Sequence, residues 1–126
     1  MSISQSILAA LSTLLGGDTL TYFTQVELSG GQISDPCYFC LGHTSLYLLN
    51  LESTSPIQHQ ASYDSLDKCQ THQNVIQLHF KDRKRLTMTV MAATVDEVTS
   101  QISCYWQIDY MMKHSSLGTF PLVSNH

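Results

Sequence analysis

The polarity pattern of the chain is sharpest between Val75 and Lys113. Val75-Ile76-Gln77-Leu78-His79-Phe80 alternates with period two, as does Leu86-Thr87-Met88-Thr89-Val90, and the charged turn Lys81-Asp82-Arg83-Lys84-Arg85 separates them. The alternation predicts an antiparallel hairpin with Ile76, Leu78 and Phe80 on one inward face beside Leu86, Met88 and Val90. Thr94-Val95-Asp96-Glu97 reads as a capping box, its threonine hydroxyl and glutamate carboxylate taking up orphan amides at a helix start. In the helix that follows, Val95, Val98, Ile102, Tyr105, Trp106 and Met112 share one side at 3.6 residues per turn. It should stop between His114 and Gly118.

Upstream the signals are weaker but orderly. Ser2 to Leu15 carries apolar residues at helical spacing (Ile3, Ile7, Leu8, Leu11, Leu14, Leu15), and Gly16-Gly17 is a helix stop. Thr19 to Leu28 is rich in threonine and aromatic residues and reads as a strand. Ser29 to Pro36 is a loop by its glycines and its Asp-Pro step. Cys37 to Gly42 and Ser45 to Leu51 read as paired strands about a tight turn, and Glu52 to Pro56 as a polar turn. Ile57 to Tyr63 alternates weakly and reads as a short strand. Asp64 to Asn74 is polar and reads as a loop, with Ser65-Leu66 anchoring it. One domain is expected over residues 1–118: a helix at about 2–15, strands across about 19–91, and a helix at about 94–113. Residues 119–126 read as a tail or linker. The first helix must bury its stripe of Ile3, Ile7, Leu11 and Leu14, either on its own sheet or in a partner or dimer.

The 126 residues suit a single domain, and a hydrophobic fraction of 43% can fill one core. A net charge of −4 excludes general nucleic-acid binding, which needs several cations along a phosphate backbone. The distribution is more telling: no lysine or arginine precedes Lys68, and four of the six basic residues sit in one turn, at Lys81, Arg83, Lys84 and Arg85. A secretory signal would also place a short apolar run at Ile7 to Leu15, but the positive segment that such signals carry is missing. No run is long enough to span a bilayer. Four cysteines in a chain with an adequate core are expected to be reduced thiols in a cytoplasmic setting.

The order of elements, with Tyr38-Phe39-Cys40-Leu41 followed by Thr44-Ser45-Leu46-Tyr47-Leu48-Leu49, then Val75 to Ala92 and Thr94 to Ile102, resembles the pleckstrin-homology-like (PH-like) superfold over roughly residues 19 to 113. The resemblance implies an α+β, mainly β fold: a bent antiparallel barrel or sandwich of six to seven strands closed by a C-terminal amphipathic helix. An extra N-terminal helix would precede it here. Two departures stand out. One strand of the family's seven is not visible, and the family's helix tryptophan aligns near Val98 whereas this chain carries Trp106.

Two constellations could carry chemistry. The cations Lys81, Arg83, Lys84 and Arg85 could grip a phosphate by charge-assisted hydrogen bonds, with Lys68 or Lys113 helping. In the resembling family, however, the main phosphate motif lies in the first hairpin, and Ser29 to Pro36 here offers Asp35 and no cation. Cys37-x-x-Cys40 and Cys69-x-x-His72 have zinc-ligand types and spacing. Side chains three apart on a strand point to opposite faces, so a strand at Cys37 to Cys40 excludes shared zinc ligation there. No catalytic motif occurs; His43, His59 and His79 read as structural or solvent-facing, and Cys104 as a small buried hydrophobe.

The expected function is a non-catalytic protein-protein interaction or adaptor domain of a larger intracellular protein, taking a peptide or helix at an exposed sheet edge or beside the C-terminal helix. Neither cofactor nor metal is expected. The alternatives are weak phosphoinositide or acidic-membrane binding through the Lys81 to Arg85 turn, with a membrane-peripheral location, and a zinc-stabilised module using Cys37, Cys40, Cys69 and His72.

Overall fold

The computed structural model describes residues 2–28 and 37–114, so the Ser29 to Pro36 loop and the 119–126 tail lie outside the described residues. Helix α1 (Ser2–Leu14) leads into strands β1 (Tyr22–Leu28), β2 (Cys37–Leu41), β3 (Ser45–Leu49) and β4 (Ile57–Ser62). A short 3-10 turn, Tyr63–Ser65, precedes β5 (Leu66–His72), β6 (Val75–Phe80), β7 (Arg85–Val90) and helix α2 (Val95–His114). The strands form one antiparallel sheet in the order β4-β3-β2-β1-β7-β6-β5.

The expected hairpin is present in the expected phase. Ile76 pairs with Met88 and Leu78 with Leu86, and Ile76, Leu78, Phe80, Leu86, Met88 and Val90 are all buried. They share a core with Val26, Phe39, Leu41, Leu46 and Leu48 from the other strands and with Val98 and Ile102 of α2. Each such side chain contributes about 1.5–3 kcal/mol on burial. The fully buried Tyr63 fills the end of this core and donates its hydroxyl to the Gly42 carbonyl at 2.7 Å.

The strands β2 and β3 are apolar at nearly every position because both of their faces are covered. Phe39, Leu41, Leu46 and Leu48 face α2, whereas Tyr38, Cys40, Tyr47 and Leu49 face α1, where Leu11 and Leu15 complete a second core. Leu11 of the α1 stripe is thus buried on the chain's own sheet, with Ile7 and Leu14 packed partly against it. The helix stops where expected, with Gly16 at φ +64° and its amide bonded to the Thr13 carbonyl.

Just beyond that stop, Asp18 ties the helix exit to the β2–β3 turn. Its carboxylate accepts hydrogen bonds from the amides of Thr19 (2.9 Å), His43 (2.8 Å) and Thr44 (3.4 Å) and from the hydroxyls of Thr44 (3.1 Å) and Tyr47 (2.7 Å). Burial raises its pKa, but the Tyr47 hydroxyl and the three amides outweigh that and hold it below the ordinary 3.8. A carboxylate with a depressed folded-state pKa contributes fully above its unfolded value and is lost as pH falls through the folded value. Between pH 7 and pH 3, urea denaturation should therefore show a larger stability loss in the native chain than in Asp18→Asn. Equal losses would assign Asp18 no part in the acid response.

Three expectations are corrected. The stretch Asp64 to Asn74 is not a loop, since Leu66–His72 forms β5, paired with β6 from Leu66/Phe80 to His72/Val75. A shift in register between Leu66 and Lys68 breaks its alternation, and as an edge strand it is exposed at nearly every residue. It supplies the seventh strand. The sheet is also not closed into a barrel: β4 and β5 remain its two edges. It curls enough for His59 of β4 to pack on Phe80 of β6, ring centroids 5.0 Å apart, without strand pairing between them. Finally, the capping box is half formed. The Thr94 hydroxyl accepts from the Glu97 amide at 3.1 Å, but the Glu97 carboxylate accepts from the Tyr22 hydroxyl at 2.7 Å instead. Burial and the Glu97 carboxylate push the Tyr22 pKa up to about 12.

Candidate functional site

The open edge of β5 lies beside α2, and its backbone direction follows from the neighbouring hairpin. The Phe80 amide donates to the Lys84 carbonyl at 2.9 Å and the Val90 amide to the Asn74 carbonyl at 2.8 Å, so even-numbered positions of this hairpin bond toward β7. By the alternation of antiparallel pairing, the odd positions Val75, Gln77 and His79 bond toward His72, Gln70 and Lys68 of β5. The N–H and C=O groups of Cys69 and Thr71 are then left aimed at the unpaired edge. Their side chains lie on the inner face, as their partners Leu78 and Ile76 do.

Against that edge is a cleft of about 200 Å³ bounded by Leu66, Cys69, Thr99, Ile102, Ser103 and Trp106. Its floor is apolar. Trp106 is 36% exposed, and its ring stacks on Tyr110 with centroids 5.6 Å apart and planes 11° from parallel. Although the residue as a whole is exposed, partial burial of its thiol against the cleft raises the Cys69 pKa. The helical face expected to be wholly core therefore splits. Val98 and Ile102 are buried, while Trp106 borders the cleft and Met112 is 67% exposed. Asp109 is buried and holds Lys113 at 3.1 Å; Lys113 also reaches Asp64 at 3.0 Å. Cys104, expected to be buried, is exposed on the outer side of α2.

The turn cations do come together. Lys81, Arg83, Lys84 and Arg85 border a second cleft of about 470 Å³, and Lys68 of β5, one of the two candidate helpers, borders it too. The turn is shaped by the Arg83 amide, which donates to the Phe80 carbonyl at 2.9 Å, and by Asp82, whose carboxylate accepts from the Lys84 amide at 3.0 Å. Arg83 takes a left-handed φ of +73° in this turn. Lys113, the other candidate helper, lies in a third cleft of about 300 Å³ with Lys81, Asp64, Trp106 and Tyr110.

The four zinc candidates are dispersed. Cys37 belongs to the core under α2 and Cys40 to the core under α1, on opposite faces of β2. On β5, Cys69 is on the inner face with Leu78, and His72 is on the outer face with Val75. No group of three such donors converges among the described residues. The zinc reading is thus overturned by strand geometry. His79 faces outward, as expected, and its Nε2 lies 2.7 Å from the Gln70 side-chain oxygen; His59 is half-buried against Phe80.

One seven-stranded antiparallel sheet, with a C-terminal helix across one face and an N-terminal helix on the other, defines a mainly β, α+β domain. No family model matches the chain, and no curated protein matches its sequence. Solved structures do match its fold. The C-terminal domain of an unknown protein from Leishmania infantum is similar with a TM-score of 0.66 at 14% identity, over 82% of this chain and 97% of that one. A chain of the complex of the FERM and C-terminal domains of Drosophila Merlin is similar with a TM-score of 0.56 at 3% identity, over 79% of this chain and 31% of that one. At these identities the likeness is one of fold, and it supports a PH-like sheet. Among the described residues no helix is long and apolar enough to cross a membrane.

Proposed function

We propose that the chain is a non-catalytic protein-interaction module that takes an extended peptide as an added strand on β5, alongside α2. The observation that carries this reading is the pairing of an unpaired strand edge with an apolar cleft. The outward N–H and C=O groups of Cys69 and Thr71 supply the ladder, and Leu66, Ile102 and Trp106 line a pocket for one side chain. Fold similarity to a chain that contains a FERM domain fits an interaction module. An open edge strand left without a partner is also a liability, which gives its retention beside a pocket a reason.

Selection of displayed random peptides on the whole chain, followed by binding of synthetic copies, tests the reading. Thr71→Pro removes one outward amide and leaves the β6 ladder intact, so it should weaken binding by roughly tenfold. Trp106→Ala should cost a similar factor by opening the pocket. Both variants should keep the circular dichroism spectrum of the native chain. Peptides that bind Thr71→Pro and Trp106→Ala as well as the native chain would sink the edge reading.

A further inference from the structure

All six basic residues of this acidic chain gather at one end of the molecule, around the start of β5. Lys68, Lys81, Arg83, Lys84 and Arg85 line one cleft, and Lys113 and Lys81 line the next. These two clefts share Lys81, and each shares a wall with the apolar cleft on β5: Asp67 and Lys68 with the first, Trp106 with the second. The carboxylates among the cations are Asp64, Asp67, Asp82 and Asp109, so this end carries 6 − 4 = +2 while the whole chain carries −4. Among the described residues no ion pair within 4.0 Å holds Lys68, Lys81, Arg83 or Arg85.

The register makes the geometry specific. Lys68 pairs with His79 and His79 with Arg85, which sets these three side chains in a row across the outer face of β5, β6 and β7. On a strand added to β5, a residue opposite Cys69 would turn inward to the cleft, and its neighbour opposite Lys68 would turn outward onto this row.

We infer that the partner is an acidic peptide, carrying an aspartate or glutamate immediately beside the apolar residue that fills the Leu66, Ile102 and Trp106 cleft. The inference rests on the edge-strand reading and adds the chemistry of the ligand. Charge complementarity selects this occupant. An anionic membrane is held in proportion to the cations that face it, and four interspersed carboxylates weaken that hold at this end. A second copy of the chain would bring a like-charged end against this one.

The test is the composition of the peptides selected on the whole chain. Enriched peptides should pair a large apolar residue with an adjacent Asp or Glu. Synthetic copies should bind about tenfold more weakly at 500 mM than at 50 mM salt. Lys68→Glu/Arg85→Glu, with both positions exposed, should melt as the native chain does and select the apolar residue beside Lys or Arg instead. Enrichment without an acidic bias, or with one that the double variant leaves unchanged, overturns the inference and leaves the edge reading standing. No enrichment on a folded chain overturns both. Salt-sensitive sedimentation with phosphatidylserine or phosphoinositide vesicles, in the absence of peptide enrichment, assigns the cations to a membrane instead. A concentration-dependent dimer abolished by Thr71→Pro assigns the edge to a second copy.

Discussion

Gly42→Ala should destabilise the fold by roughly 2–3 kcal/mol, a large effect for one added methyl group. A β-carbon at Gly42 would stand within 2.9 Å of all three atoms of the Asp18 carboxyl group. A long side chain could swing away from such an intrusion, but Asp18 is short and its oxygens accept five hydrogen bonds. Displacing it strands the Tyr47 hydroxyl, whose ring is almost fully buried. The double variant is the sharper test. Asp18→Ala alone should cost about 2 kcal/mol by the same loss of acceptors. In Asp18→Ala/Gly42→Ala the new methyl occupies space that the carboxylate has left, so the second substitution should add little. Urea denaturation of the four species gives the coupling directly, and simple additivity would rule out the steric account.

The parts of the fold legible in the sequence were those where one face is buried and the other is wet. Val75 to Val90 meets that condition, since α2 covers the Ile76, Leu78, Phe80 face and solvent reaches Gln77 and His79. Period-two alternation then follows from burial. Segment β5 fails the condition: with Leu66 half-buried and every other residue exposed, burial writes no pattern into Leu66–His72. The register shift at Asp67 breaks what alternation remained. Strands β2 and β3 fail it in the opposite sense, because two cores cover both faces and apolar residues run on without alternating. Their identity as strands came from aromatic content and a tight turn.

The candidate site divides along the same line. Lys81, Arg83, Lys84 and Arg85 were visible as a charge run, and a turn brings neighbours in sequence together in space. Lys68 and Lys113 were visible only as candidate helpers, because their positions depend on β5 and on the end of α2. The apolar cleft was not resolved to residues at all. It joins Cys69 and Leu66 to Ile102 and Trp106 across more than thirty positions, and the polar sequence of β5 reads as a loop. Trp106 was the available signal. This lone tryptophan falls on the predicted apolar face, but helical periodicity alone does not separate a core position from a half-exposed rim.

Leu11→Ala should cost about 3 kcal/mol, within the range for burying a cavity where a leucine side chain had been fully enclosed. Leu8→Ala, one turn earlier on the same helix, should change stability by less than about 0.5 kcal/mol. The contrast rests on exposure: Leu11 is 0% exposed and Leu8 is 44% exposed. Both substitutions put alanine, the best helix former, in place of leucine, so propensity cannot explain a difference between them. Leu11 reports on the second core, where α1 covers Tyr38, Cys40, Tyr47 and Leu49 together with Leu20, Phe23 and Leu51. If α1 left the sheet in solution to bind a partner or a second copy, the Leu11 substitution in the isolated chain would be nearly silent. It would then look like Leu8. A full penalty at Leu11 means that displacing α1 requires opening a core as tightly closed as the one under α2. That result would favour the proposed peptide site on the β5 edge, which needs no such rearrangement.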